Sequence, residues 1–177
     1  LDAETGAATA WNPRLGPTIR SLPHGDYEWG WVSAIAVGAR TVYAGGGFTS
    51  VADQSRVGLA AFDADSGSAL AGFPSIPAGS VMSLSLEART LYVGGYFATL
   101  GGEPRLNIGA VDATSGEVTD WNPRAAGNVV ALAADRRWVY AGGTFSSMFD
   151  WGVRYGAAAL DLRDGQLLPW NANIDGS

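Results

Sequence analysis

Short runs of alternating apolar and polar residues, separated by turn residues, recur along the chain. In the clearest run, at 81–86, the two types alternate strictly before a turn at 87–89 and a returning apolar run at 90–93. Alternation with a period of two, closed by a short turn, predicts a β-hairpin. No segment sustains a helical period, so we expect an all-β chain.

Two further strands are expected after this hairpin. A loop at 98–107 leads to a predicted third strand at 108–112, and a fourth is predicted at 117–121. Between them, Asp112 can accept hydrogen bonds from backbone amides ahead of it, and Gly116 can adopt a positive φ. The pattern therefore predicts a unit of four short antiparallel strands, and the same pattern fits 32–80 and 129–177.

The unit recurs at a nearly constant spacing. A Tyr-x-Gly-Gly-x-Phe string begins at Tyr43, Tyr92 and Tyr140, which are 49 and 48 positions apart. A second string, Asp-x-x-x-Gly followed by an aromatic residue, begins at Asp2, Asp63, Asp112 and Asp161. A constant period of this size is typical of repeat arrays, in which each unit buries its apolar faces against its neighbours.

Units of this kind predict a β-propeller segment. Four strands every ~40–50 residues, with a glycine pair and an aromatic residue in each unit, are the sequence pattern of propeller blades. A β-sandwich, the alternative, would not repeat its side chains so closely. We expect one domain over 1–177, made of an outer half blade at 1–13, an inserted loop at 14–31, and blades at 32–80, 81–128 and 129–177.

This number of blades leaves the expected ring open. Propellers usually contain about 4–8 blades. An open sheet edge can pair with another chain. We therefore expect the remaining blades to come from the same, longer precursor or from another copy of the chain. The chain begins inside a repeat, which favours the longer precursor.

Two motifs resemble those of known propellers. The pattern Ala-x-Asp-x-x-x-Gly-x-x-x-x-Trp, at 110–121 and 159–170, resembles the tryptophan-docking motif of quinoprotein-like β-propellers. The Tyr-x-Gly-Gly-x-Phe string is more similar to the propeller repeats of large secreted bacterial proteins of mostly unassigned function. The resemblance covers nearly the whole chain except 14–31, and it implies an extracellular or cell-surface bacterial protein.

The resemblance also implies roles for the docking aromatics. In quinoprotein-like propellers each such tryptophan packs between neighbouring blades, which here implies structural roles for Trp11, Trp121 and Trp170. Phe73 departs from the motif because it comes one residue late and lacks the indole N–H. We therefore expect the junction at Phe73 to differ from the others.

Composition excludes several classes of function. Hydrophobic residues make up 47% of the chain and charged residues 16%, which is typical of an ordered protein. The net charge of −6 offers no basic footprint for nucleic acid. The absence of cysteine excludes thiol catalysis and disulfides. No apolar run reaches the ~18 residues that predict a membrane-spanning helix.

Metal and histidine chemistry have little support. The segment 63–67 begins like a calcium-binding loop, but no third aspartate and no closing glutamate follow, and the sister turns carry different side chains. We interpret it as a hairpin turn and predict neither a metal nor a cofactor. His24 is the only histidine and has no evident catalytic or ligating partner, so we expect a solvated side chain.

A recurrent arginine precedes each aspartate turn by seven residues, at Arg56, Arg105 and Arg154. These arginines could form a ring of anion-binding groups. They could also tie each blade to the next through a carboxylate or backbone carbonyls. Recurrence in every unit favours the second interpretation, since a binding site tends to use one unit and a scaffold uses all of them.

Aromatic residues in two irregular loops are the candidate binding residues. The first junction carries about 13 more residues than its sister between Trp121 and Val129, and the third unit has an unusual loop at 148–155. Aromatic and acidic residues on loops of a rigid scaffold commonly form binding surfaces. The same rings could instead fill a channel or cover a blade edge. The candidates are Tyr27, Trp29, Trp31, Phe149 and Trp151.

Two functions remain open. The first is a non-enzymatic binding or structural module that presents these loop aromatics to a glycan or a protein partner. The second, which the resemblance permits, is a fragment of a dehydrogenase that uses pyrroloquinoline quinone. Such enzymes need a calcium-ligating set and usually a vicinal cysteine pair. The pair is absent and no ligand set can be assigned.

Overall fold

Every regular element in the described part of the chain is a β-strand. The computed structural model describes residues 5, 7, 10–16, 18–20, 27–52, 54–149, 152–170 and 172, with the backbone alone for 18–20 and 27–29. The all-β prediction is confirmed within these residues. The strands are β1 Leu15–Gly16, β2 Thr18–Arg20, β3 Tyr27–Trp29, β4 Trp31–Val37, β5 Thr41–Gly47, β6 Ser50–Val51, β7 Gln54–Ser55, β8 Leu59–Asp63, β9 Gly79–Glu87, β10 Thr90–Phe97, β11 Thr99–Leu100, β12 Glu103–Pro104, β13 Ile108–Asp112, β14 Val129–Ala134, β15 Trp138–Gly143, β16 Ser147–Met148, β17 Gly152–Val153 and β18 Ala157–Asp161.

Three antiparallel sheets with one common order carry the predicted units. Their orders are β4-β5-β8, β9-β10-β13 and β14-β15-β18, and we call them the first, second and third units. The central strand of each bears the Tyr-x-Gly-Gly string, so that Tyr92 lies opposite Ser85 and Ala110. The β9–β10 pairing shifts register between Gly94 and Gly95, and β4 and β14 are irregular at the matching positions. The bulge follows from glycine, which tolerates the distorted backbone.

The fourth strand of each unit is much shorter than predicted. It pairs with the third strand through one isolated bridge, such as Val111 to Val118, instead of the five residues at 117–121. Two backbone bonds flank that bridge, from Asp112 N to Glu117 O and from Thr119 N to Ala110 O. Beyond this bridge the Trp121 indole reaches across to the following unit, where it donates to a backbone carbonyl.

Three other predicted turns and loops are also corrected. The turn at 87–89 has two residues rather than three, since Glu87 pairs directly with Thr90 and the left-handed φ of 51° at Ala88 closes the chain sharply. The loop at 98–107 contains the β11–β12 hairpin. The inserted loop at 14–31 contains β1, β2 and β3, with β2 paired to β3, and Trp31 already belongs to β4.

A second set of contacts joins each unit to the segment that precedes it. Leu15 in β1 pairs with Val51 in β6, and Ala125 forms a bridge with Met148. At the remaining junction, Gly101 N donates to Ser75 O at 2.9 Å. The small hairpin of each unit therefore binds the chain that enters from the unit before it.

The hydrophobic core lies between the sheets. One cluster combines Tyr43 and Leu59 of the first unit with Val81 and Val93 of the second, and another combines residues of the second and third units. A single sheet has no second layer of its own, so it must bury its faces against neighbouring units. The faces of the units therefore determine stability.

Candidate functional site

The tyrosines of the repeated string hold adjacent units together. Tyr43 Oη donates to Ala113 O at 2.8 Å, and Tyr92 Oη donates to Leu162 O at 3.0 Å. Each carbonyl follows the aspartate of the turn in the next unit. Burial raises the pKa of Tyr43 and raises the pKa of Tyr92 to about 12, because a buried phenolate would lose its solvation.

These shifts predict a loss of stability at high pH. The pKa of Tyr92 in the folded chain, about 12, lies above the usual 10.0, so the unfolded state loses this proton first as pH rises. The contribution is complete below pH 10 and should decline between pH 10 and 12. Urea unfolding across this range measures the decline, and Tyr92→Phe should reduce it. A free energy of unfolding that stays constant up to pH 12 would contradict this assignment.

The docking tryptophans reach the same turns. Trp121 Nε1 donates to Asp161 O at 3.0 Å, and the ring packs edge-on against Tyr92 with centroids 4.9 Å apart. Trp11 Nε1 reaches Asp63 O at 3.4 Å. The turn glycine lies under the indole: a Cβ on Gly165 would come within 3.1 Å of Trp121 Nε1, and its φ is +76°. Both the space and the backbone conformation therefore require glycine there.

The junction at Phe73 lacks an indole donor. Phe73 packs against Tyr43 with ring centroids 5.5 Å apart, and its Cα lies 3.1 Å from where a Cβ on Gly116 would be. At this junction the backbone of Gly72 and Phe73 lies against the turn glycine, and the phenyl ring has no N–H to donate. Contact at this junction includes packing, the Tyr43 hydrogen bond and the backbone bond from Gly101 N to Ser75 O.

The recurrent arginines contact their own units. Arg105 donates to Pro104 O at 2.8 Å and to Thr119 O at 2.7 Å, and Arg154 donates to Val153 O at 2.7 Å and to Leu168 O at 2.8 Å. The sequence led us to expect a link to the next unit, whereas these carbonyls lie in the same unit as each arginine. For Arg56, the backbone N donates to Thr49 O at 2.9 Å.

The aspartate turns are closed by their own backbone. Asp63 Oδ1 accepts bonds from the amides of Asp65 and Ser66 and from the Ser66 hydroxyl, and Asp112 Oδ1 accepts from the amides of Thr114 and Ser115. These bonds lower the pKa of both aspartates. Within the described residues, no three His, Asp or Glu side chains are grouped so as to hold a metal ion.

The structure describes the predicted loop aromatics only in part. Trp151 and His24 lie outside the described residues. For Tyr27 and Trp29 the backbone alone is described, paired with Arg20 and Thr18 in β2. Trp31 is exposed, and its ring lies over Gly47 of its own unit. Phe149 is half-buried against the core of the second and third units, so these two rings have different surroundings.

The third unit exposes a surface that the sequence analysis did not identify. Tyr140 and Trp170 are 38% and 48% exposed, whereas their counterparts Tyr92 and Trp121 are 1% and 4% exposed. Their rings still pack edge-on, with centroids 6.0 Å apart. We call the surface formed by Tyr140, Gly142 and Trp170 the trailing face.

The first unit exposes an apolar surface on β4. Val32, Ile35 and Val37 are 38%, 61% and 68% exposed. In the second unit the matching Val81 is fully buried, and Leu84 and Leu86 pack against the core. We call the surface formed by Val32, Ile35 and Val37 the leading face. In the 49-residue alignment of the units, each of these positions matches a residue that packs against the core at a junction.

Comparison with known proteins adds no family. A scan against protein-family models found no match, and a search against curated proteins also found none. The part of the chain that the structure describes contains no helix long and apolar enough to cross a lipid bilayer.

Proposed function

We propose that this chain is a β-propeller segment that acts as a non-enzymatic binding or structural module of a larger, secreted bacterial protein. Two observations support the fold: the three sheets have the same strand order, and hydrophobic clusters join successive sheets. The secreted bacterial setting rests on the resemblance of the repeated strings. A propeller places successive sheets side by side around an axis, so each unit presents one face forward and one backward.

One observation carries the proposed function of binding another protein. The trailing face presents the same tyrosine and tryptophan that are buried against protein at the junction of the second and third units. Exposed apolar and aromatic surface that is elsewhere covered by protein marks an interaction site. We therefore assign protein binding to the unit faces.

The loop aromatics are a second proposed contact, for a glycan or a protein. The exposed ring of Trp31 supports this, since flat aromatic surfaces suit sugar rings. A glycan array with the native chain and with a Trp29→Ala, Trp151→Ala double variant tests it. We expect the double variant to lose any glycan that the native chain binds. Equal binding by both proteins would remove these residues from the site.

A thermal unfolding experiment separates the module from the dehydrogenase alternative. Ligands that bind the native state raise the melting temperature. We expect no shift when pyrroloquinoline quinone and calcium are added together, compared with calcium alone. A rise that depends on the quinone would favour the enzyme fragment and contradict the non-enzymatic assignment.

A further inference from the structure

We propose that two copies of this chain associate head to tail, with the leading face of one copy seated on the trailing face of the other. This inference rests on the proposed protein binding by the unit faces and names the partner. It is argued from the two internal junctions, where equivalent residues already meet within one chain.

A glycine notch receives a valine and a leucine at each internal junction. A Cβ on Gly94 would lie 2.7 Å from Val129 Cγ1 and 3.1 Å from Leu132 Cδ1, so these side chains fill the space beside that glycine. Gly45 is filled in the same way by Val81 and Leu84. At both internal junctions, side chains of the next unit therefore occupy the notch beside the first glycine of the repeated pair.

On the trailing face, no side chain of another unit within the described residues fills the corresponding notch. The atoms nearest to a Cβ on Gly142 are Ala131 Cβ at 3.6 Å and Gly156 O at 3.9 Å, both in the same unit. Beside the notch, Tyr140 and Trp170 keep the edge-on arrangement of the buried pair in the second unit. The trailing face therefore presents a glycine notch, a tyrosine hydroxyl and an indole N–H, as the second unit does at its junction with the third.

The leading face carries the matching side chains. Val32 lies opposite the second glycine of its pair, Gly46, as Val129 lies opposite Gly143. Ile35 lies opposite Ala44, as Leu132 lies opposite Ala141. Val32 and Ile35 thus occupy the positions that fill the notches at the internal junctions, and both are exposed.

A second copy is the occupant that fits both surfaces, since each chain carries a glycine notch on its trailing face and the side chains that match it on its leading face. Such a contact is heterologous, so it can continue into rings or longer assemblies. At the outer edge of the leading face, Trp11 already donates to Asp63 O, at 3.4 Å against 3.0 Å for the bond of Trp121. Seating of Trp170 on Asp63 O therefore requires Trp11 to move aside.

Light scattering of the purified chain over a range of concentrations tests this inference. We expect the native mass to rise from 18.3 kDa to multiples of it. Gly142→Val fills the notch on the trailing face, and Ile35→Glu places a charge on the leading face. Each variant alone should therefore remain at 18.3 kDa. Tyr96→Ser, at an exposed aromatic residue outside both faces, should associate like the native chain.

Mixing the two monomeric variants gives the sharpest result. Ile35→Glu keeps an intact trailing face and Gly142→Val keeps an intact leading face, so the mixture should form a species of twice 18.3 kDa. Trp11→Ala should tighten association, because it removes the competitor for Asp63 O. Circular dichroism of each variant checks that it is folded.

Several results would overturn the inference. A native chain that stays at 18.3 kDa at all concentrations would exclude the second copy, while leaving the proposed binding of another protein by the unit faces untouched. Association that survives both Gly142→Val and Ile35→Glu would place the contact elsewhere. A mixture that stays monomeric, or weaker association of Trp11→Ala, would contradict the described seating.

Discussion

Replacement of Trp121 by alanine is expected to lower the free energy of unfolding by about 3–5 kcal/mol, the usual cost of deleting a large buried aromatic side chain. The ring is 4% exposed, packs on Tyr92, and donates a hydrogen bond to the next unit. Its loss leaves a cavity at the junction of the second and third units and removes the indole bond to Asp161 O, which keeps its bond from Gly165 N at 2.9 Å. Urea unfolding followed by circular dichroism measures the effect.

The chain offers a matched control for this substitution. Trp170 occupies the same motif position in the third unit, but its face is exposed. At a protein concentration low enough to keep the chain monomeric, Trp170→Ala should change the free energy of unfolding by less than about 1 kcal/mol. Equal losses from the two substitutions would show that docking between units is not what buries Trp121.

Substitution of Gly94 by alanine is expected to destabilise the chain by about 1–3 kcal/mol, because adding a methyl group to a filled core forces its neighbours apart. The new Cβ would lie 2.7 Å from both Ser83 Oγ and Val129 Cγ1. Val129 is fully buried, so its displacement would disturb the packed core around it. The thermal unfolding midpoint and urea unfolding both report this cost.

Gly142→Ala is the matched control for the glycine notch. Its Cβ would meet Ala131 Cβ at 3.6 Å, which is an ordinary van der Waals contact. We expect a change within about 0.5 kcal/mol, because the added methyl group meets no close neighbour at this half-buried position. A cost as large as that of Gly94→Ala would mean that the third unit is covered by protein in the monomer, contrary to the exposed trailing face.

The local pattern predicted the principal strands but not the edges of the sheets. The strand predicted at 108–112 is confirmed as Ile108–Asp112, because alternation and turn residues are local signals. The predicted fourth strand was wrong because in all three units it pairs through a single bridge, which a short alternating pattern cannot distinguish from a full strand. The small hairpins were also missed, because two-residue strands are too short to show a period.

Some positions could not be predicted because their role is tertiary. Asn107 is buried with a φ of 60°, and it binds Phe97 N and Ala125 O through its side chain. Gly58 and Gly156 occupy the matching positions with φ of 74° and 71°. The left-handed conformation is therefore common to the three units, and asparagine is a residue that tolerates it, but the bonds of its side chain to Phe97 and Ala125 depend on the tertiary fold.

The two exposed faces are the part of the candidate site that local patterns cannot provide. Ile35 and Leu84 look alike in sequence, and only the presence or absence of a covering unit makes one exposed and the other partly buried. The aromatic loops, by contrast, attracted notice because they interrupt the repeat. Irregularity in a repeat is visible in the sequence, and the number of units also predicted an open edge, whereas the residues exposed on each face could be identified only in the assembled structure.

A crystal structure of the chain tests the central claim most directly, namely that successive sheets stand side by side and dock through their faces. We expect the Tyr92 hydroxyl within hydrogen-bonding distance of the Leu162 carbonyl, the Tyr43 hydroxyl on the Ala113 carbonyl, and the three sheets arranged around one axis. Sheets stacked as two layers, with Tyr92 turned to solvent, would contradict it.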